Sequence, residues 1–188
     1  MLRCQDDPVP PVLVVAGVAG TGKTSVGLLV ASERGWPFAE GDSFHSAASV
    51  AKMRSGTPLT DEDRLPWLRA IAAWIGGCEA AGSGGVVACS ALKRSYRDLL
   101  RAGHPSVRFA LLTVPAAALD ARLRHRQQHF MPASLLASQL TDLEWLGPDE
   151  PGGVVDASGA PEQTAAAVRA LLGEDRPNRS EPLRGQDN

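Results

Sequence analysis

Val12-Leu13-Val14-Val15-Ala16-Gly17-Val18-Ala19-Gly20-Thr21-Gly22-Lys23-Thr24-Ser25 is the stretch on which the fold turns. Its first five residues are apolar and rich in β-branched side chains, the composition of a strand buried on both faces, and such strands belong to parallel sheets. The next eight, Gly17 to Thr24, fit the spacing GxxxxGK[ST] at every required position. From Lys23 to Ala31 apolar residues return at helical spacing, so the local order is strand, glycine-rich loop, helix. In that setting the backbone N–H groups of the loop converge, the helix N-terminus adds positive potential, and Lys23 brings a point charge to the β- and γ-phosphates of a nucleotide. The expectation is a nucleoside triphosphate site for ATP built from Gly17, Val18, Ala19, Gly20, Thr21, Gly22, Lys23 and Thr24. The Thr24 hydroxyl is the expected Mg2+ ligand.

The chain around this stretch has 188 residues, 44% hydrophobic and 21% charged, as expected of one globular domain. A weaker strand is expected over Trp36 to Glu40, and the polar segment Ser43 to Asp63 reads as a surface excursion with short helices. Asp61 or Asp63 is the expected cap of a helix through Trp67, Leu68, Ile71, Trp74 and Ile75, which Gly76-Gly77 and Gly82 to Gly85 should break. Further strands are expected over Val86 to Cys89, Val107 to Val114 and Val154 to Asp156. Helices are expected over Lys93 to Arg101, Ala116 to Arg126, Ala133 to Leu140 and Pro161 to Leu172. The alternation predicts an α/β fold, a parallel sheet of about five strands flanked by helices, with ligands beyond the carboxyl ends of the strands. The domain is expected to span 12–172, with a mobile lid at about 124–150. Residues 1–11 form an N-terminal extension, and 173–188, poor in apolar side chains, should be a disordered tail.

Nineteen Lys and Arg against twenty-one Asp and Glu leave a formal charge of −2, so no overall field draws the chain onto nucleic acid or a membrane. Three cysteines far apart, Cys4, Cys78 and Cys89, suggest neither a disulfide framework nor a zinc site. With no signal peptide and no membrane span, the protein reads as soluble and cytoplasmic. Asp42 follows the second strand and should reach the edge that carries the phosphate loop. There it can accept the proton of a substrate hydroxyl, orient that oxygen or hold a water on Mg2+, or else simply cap the next segment. His45, three residues on, is a candidate substrate contact.

An anionic acceptor beside ATP calls for cations, and an arginine fork meets a carboxylate bidentately. Arg64, Lys93 and Arg97 are assigned to that substrate. Arg122, Arg124 and Arg126 cluster before the lid, where closure would bring one over the transferring phosphate. Arg126 is assigned to catalysis with Lys23 and Asp42, and Arg122 to the nucleotide. The third strand ends Ala88-Cys89-Ser90-Ala91, without the aspartate that large P-loop ATPases use as a second Mg2+ carboxylate, which argues for a compact metabolite kinase.

Several strings together carry a family likeness: Gly41-Asp42-Ser43-Phe44-His45, Lys52-Met53, Pro58 to Arg64, Pro66-Trp67-Leu68, Ala88 to Arg94 with Tyr96-Arg97-Asp98, and His129-Phe130-Met131-Pro132 followed by Ser138-Gln139. From about Val12 to Leu172 the chain closely resembles the small, thermoresistant-type gluconokinases of the P-loop kinase superfamily. The resemblance implies transfer of the γ-phosphoryl of ATP to the 6-hydroxyl of D-gluconate, for the pentose phosphate or Entner–Doudoroff routes, with Mg2+, a lid and a homodimer. Asp42 is then the candidate base. The chain departs from the family pattern at Ser46, Ser49 and Trp145 to Pro148. Two rival readings are a shikimate-kinase-like enzyme of another small metabolite and a non-catalytic ATP-binding regulator.

Overall fold

The computed structural model describes residues 10–116, 118–119, 122 and 133–173. Strand β1 (Val12–Ala16) is buried along its whole length and lies at the centre of a five-stranded sheet. Helix α1 (Lys23–Arg34) follows the glycine loop, and β2 (Phe38–Glu40) leads into a 3-10 turn, Gly41–Phe44. Then come α2 (Ala47–Arg54), α3 (Asp61–Ala80), β3 (Gly85–Cys89), α4 (Arg94–Arg101) and β4 (Val107–Thr113). Helix α5 (Ala133–Asp142), β5 (Gly152–Asp156) and α6 (Pro161–Leu171) complete the described chain. All pairings are parallel and the strand order is β2-β3-β1-β4-β5.

Alternating side chains of β1 feed two separate cores, as a pleated strand requires. Val12 and Val14 join Trp67, Leu68, Ile71 and Ile75 of α3 and Leu100 of α4 on one face. Leu13 and Val15 join Val26 and Val30 of α1 and Ala165 and Val168 of α6 on the other. Helices therefore cover both faces, and the chain leaves β1 toward β2 on one side and later reaches β4 on the other. That reversal opens a crevice at the carboxyl end of β1, where the phosphate loop sits. Because β3 lies between β2 and β1, Asp42 does not come from the strand adjoining the loop.

Two local expectations are corrected. The cap of α3 is Thr60, not Asp61 or Asp63: its hydroxyl accepts from Asp63 N–H, and the Asp63 carboxylate accepts from Thr60 N–H, a reciprocal capping box. Gly76-Gly77 does not end the helix, which runs on to Ala80 and stops just before the expected Gly82 to Gly85 break. Cys78 is buried there, Glu79 receives Ser106 N–H and lies 2.6 Å from His104 Nδ1, and a Cβ on Gly76 would come within 3.1 Å of the His104 ring. These tertiary contacts outweigh the roughly 1 kcal/mol that each glycine costs a helix.

The family departures Ser46 and Ser49 prove to be partners: Ser46 caps α2 by accepting from Ser49 N–H at 3.1 Å, and their hydroxyls lie 3.0 Å apart. Of the expected helix Ala116 to Arg126, residues 116, 118–119 and 122 are helical. The expected tail beyond Gly173, most of the N-terminal extension and lid residues 124–132 lie outside the described residues. The rest of the expected lid is tied to the body. Glu144 N–H donates to Leu92 O at 3.0 Å, and the segment to Glu150 is held through Arg97, as described below.

Candidate active site

The phosphate loop closes tightly on itself. Gly17 has φ 143°, and a Cβ there would lie 2.7 Å from Leu112 O, so only glycine lets the loop leave β1 against β4. Thr21 Oγ1 and Lys23 Nζ both donate to Val18 O, at 2.9 and 3.0 Å, which turns the lysine back over the loop toward the space a polyphosphate would fill. Thr24 Oγ1 donates to Glu40 Oε2 at 2.7 Å. Sequence reasoning missed Glu40 and looked for the second carboxylate after β3. The signal was its place at the very end of β2, directly before Gly41-Asp42. Gly41 makes the arrangement possible, since a Cβ would stand 2.5 Å from Cys89 Cβ, and its absence lets the β2 end lie flat on the β3 end.

A hydroxyl and a carboxylate on hard oxygen atoms, next to a phosphate cradle, are a donor set suited to Mg2+, which keeps waters and phosphate oxygens as its other ligands. Among the described residues no group of three or more His, Cys, Asp or Glu could hold a metal ion. Lys23, Glu40 and Asp42 converge on one edge. Burial pushes the Cys89 thiol up to about 12, and the charges of Lys23, Asp42 and Glu40 all act on it. Asp42 itself is exposed in the 3-10 turn.

His45 is fixed by stacking on Trp67, ring centroids 4.7 Å apart and 9° from parallel, while Trp67 Nε1 donates to Gly41 O at 2.7 Å. Burial lowers the imidazole below its ordinary 6.5, Asp42 pulls it up and Arg64 pushes it down. Its Nδ1 is buried and has no partner among the described residues, a polar atom oriented by its ring stack rather than by a hydrogen bond.

Arg64 and Lys93 are brought together. Arg64 Nη1 donates to Tyr96 Oη at 2.7 Å and to Asp142 Oδ2 at 2.9 Å, and Lys93 Nζ lies 3.6 Å from Asp142 Oδ1 and 2.8 Å from Asp61. The Asp61 hydrogen bond strengthens the hold of Lys93 on its proton, and burial of Arg64 is more than offset by Asp142 and Tyr96. Both cations lie against the Tyr96 ring, each 5.5 Å from its centroid.

Arg97 is a correction. It is 0% exposed and its fork is spent on Glu150, with Nε–Oε1 2.6 Å and Nη2–Oε2 3.0 Å, and on the carbonyls of Ala91, Leu92, Glu144 and Trp145. On α4 it shares the inward face with Tyr96 and Leu100, and it braces the 144–150 segment.

Arg122 donates to Ala157 O at 2.7 Å and Ser158 O at 3.1 Å. With Gly20, Gly22, Ala157 and Gly159 it lines a cavity of about 420 Å³ on the side of the loop away from Arg64. A wider cavity of about 740 Å³, bordered by Arg101, His104 and Arg108, sits at the opposite end of the sheet, where β4 begins, far from this chemistry. Arg126 lies outside the described residues.

No family model matches the chain. It is 50% identical to a gluconokinase of Gluconobacter oxydans over 150 residues, 80% of this chain and 83% of that one. A crystal structure of a sugar kinase from Janibacter sp. HTCC2649 superposes with TM-score 0.83 at 50% identity, covering 87% of this chain and 95% of that one. A gluconokinase from Sinorhizobium meliloti 1021 gives TM-score 0.79 at 42% identity over 89% and 94%. A shikimate kinase from Aquifex aeolicus, 13% identical over 86% of this chain and 95% of that one at TM-score 0.54, shares the fold alone. A P-loop kinase fold with this degree of identity to relatives of nearly its own length makes the chain a member of the gluconokinase family.

Proposed function

We propose that the protein transfers the γ-phosphoryl group of ATP to the 6-hydroxyl of D-gluconate, giving 6-phospho-D-gluconate and ADP. The observation that carries this reading is the cation pair Arg64 and Lys93, which already grips a carboxylate, that of Asp142, at 2.9 and 3.6 Å beside the phosphate loop. A site built to hold one carboxylate suits a sugar acid and has no use for a neutral sugar. Homologues named gluconokinase supply the acceptor's identity.

In this reading Lys23 and the loop amides hold the β- and γ-phosphates, and Arg122 lies toward the nucleoside. Thr24, backed by Glu40, would hold Mg2+, which would supply neutralisation of the charge on the triphosphate. Arg64 and Lys93 anchor the gluconate carboxylate, and neutral His45 meets a hydroxyl of the chain. Asp42 accepts the proton of the primary alcohol as it attacks, and positioning supplies much of the remaining rate. Arg126 is assigned to the charge on the transferring group, a contribution of roughly 10³ to 10⁵ in rate. The buried free thiols Cys78 and Cys89 suit a cytoplasmic setting, and the family likeness supports a homodimer in the pentose phosphate or Entner–Doudoroff routes. No described helix is long and apolar enough to cross a membrane.

The test is a coupled ADP-release assay with gluconate, glucose, other sugar acids and shikimate. Turnover that depends on gluconate and is lost with glucose is expected. Nucleotide binding without gluconate turnover would favour the regulatory reading, and turnover with shikimate the other rival.

A further inference from the structure

Gln139 reaches the phosphate loop from the far side of the chain. Its Oε1 accepts the Ala19 N–H at 2.7 Å, across 120 residues of sequence. Ala19 is the third residue of the loop, and its neighbours divide the cradle into two sides. Gly20 to Gly22 face the cavity that contains Arg122, the nucleoside side. Three residues after Gln139 on the same helix, Asp142 sits on Arg64 and Lys93, and positions three apart lie about one turn apart on one helix face. The Ala19 amide is therefore on the acceptor side of the cradle, the side from which the γ-phosphoryl leaves. The helix is backed at Leu136, and the chain just past its end at Leu143, by packing against Val18, Leu92 and Leu119. Gln139 is held at this spot by the body of the protein.

An N–H can only donate, so the carboxamide must present its oxygen to Ala19. A phosphoryl oxygen arriving at the same amide is also an acceptor, and two acceptors facing each other repel. A carboxamide resolves this conflict without moving the helix. A small swing of the side chain off Ala19, with half a rotation about its last bond, leaves the amide to the phosphate oxygen and turns the NH2 group onto that same oxygen as a second donor.

We propose that Gln139 is a γ-phosphoryl contact of this kinase, its carboxamide alternating between accepting from Ala19 N–H and donating to the terminal phosphoryl group. The proposal rests on the phosphotransferase reading of the site. It predicts that Gln139 distinguishes a triphosphate from a diphosphate, because only the former places oxygen atoms on the acceptor side of the loop.

Gln139→Glu is the decisive variant, since an ionised glutamate keeps the acceptor for Ala19 N–H and loses both donors. Binding of a non-hydrolysable ATP analogue and of ADP, each with Mg2+, is measured by calorimetry on the full chain, with thermal melting as a control of folding. The expected result is an analogue affinity about ten- to a hundredfold lower, an ADP affinity within about threefold of the parent, and an unchanged melting temperature. Gln139→Ala should show the same selectivity with a smaller loss, because it adds no repelling charge. Equal losses for analogue and ADP, or no loss for either, would overturn the proposal and leave Gln139 as a clamp on the loop. These measurements need no acceptor, so they can fail while gluconate turnover stands, and can succeed where gluconate turnover is absent.

Discussion

Replacing Glu150 by glutamine separates a structural arginine from a substrate-binding one. In the folded protein Arg97 and Glu150 are both 0% exposed at the side chain and share two hydrogen bonds, at 2.6 and 3.0 Å, while Glu150 also accepts Gly147 N–H at 2.8 Å. Glutamine is nearly isosteric but removes the charge, so the guanidinium remains buried with only carbonyl dipoles for company. Breaking one side of such a pair costs about 3–5 kcal/mol. For a domain of this size each kcal/mol lowers the melting temperature by about 2–4 °C, so a fall of roughly 6–20 °C is expected by circular dichroism. The double variant Arg97→Met with Glu150→Leu should lose less than the sum of the two single changes, because no unpaired charge is left in the core. The Michaelis constant for gluconate should change less than about twofold in Glu150→Gln at a temperature where it is folded, since neither side chain faces the acceptor. A melting temperature within about 2 °C of the parent, combined with a tenfold rise in that constant, would refute the assignment and return Arg97 to the substrate.

Three further outcomes follow from the site. Asp42→Asn should lower kcat by about 10²–10⁴ while leaving nucleotide affinity within twofold, and near-normal turnover would remove Asp42 as the base. Glu40→Gln should raise the Mg2+ concentration for half-maximal rate about tenfold, because Thr24 loses the carboxylate that orients its hydroxyl; an unchanged Mg2+ titration would count against that role. For His45, burial depresses the folded pKa below 6.5, so between those values the unfolded chain binds more protons than the folded one. Its contribution to stability is complete above pH 6.5 and is lost as the pH falls below it. The parent should lose more melting temperature than His45→Gln between pH 7 and pH 5.5, and parallel slopes would contradict the burial argument.

What the amino-acid order determined by itself was local. Five consecutive apolar residues, glycines at fixed offsets and a following helical period specify strand, loop and helix, because each depends on backbone preferences over a few residues. The phosphate cradle and the parallel sheet were legible for that reason, as was the acid after β2. Gly76-Gly77 was misleading by the same logic, since helix propensity yields to burial of Cys78 and to the grip of Ser106 and His104 on Glu79.

Partnership was decided only in three dimensions. Arg64 and Arg97 are the same residue type near the same edge, yet one meets Asp142 beside the loop and the other is sealed against Glu150. Position 97 did carry a faint signal, being three residues before the buried Leu100 on α4. Glu40 and Thr24 are 16 residues apart, and Gln139 and Ala19 are 120 apart. Their meetings follow from how β2 passes β3 and how α5 packs on Val18. Short-range spacing sets the path of the backbone, whereas the partner of a charge, and whether water reaches it, is set by chain segments remote in sequence that packing brings together.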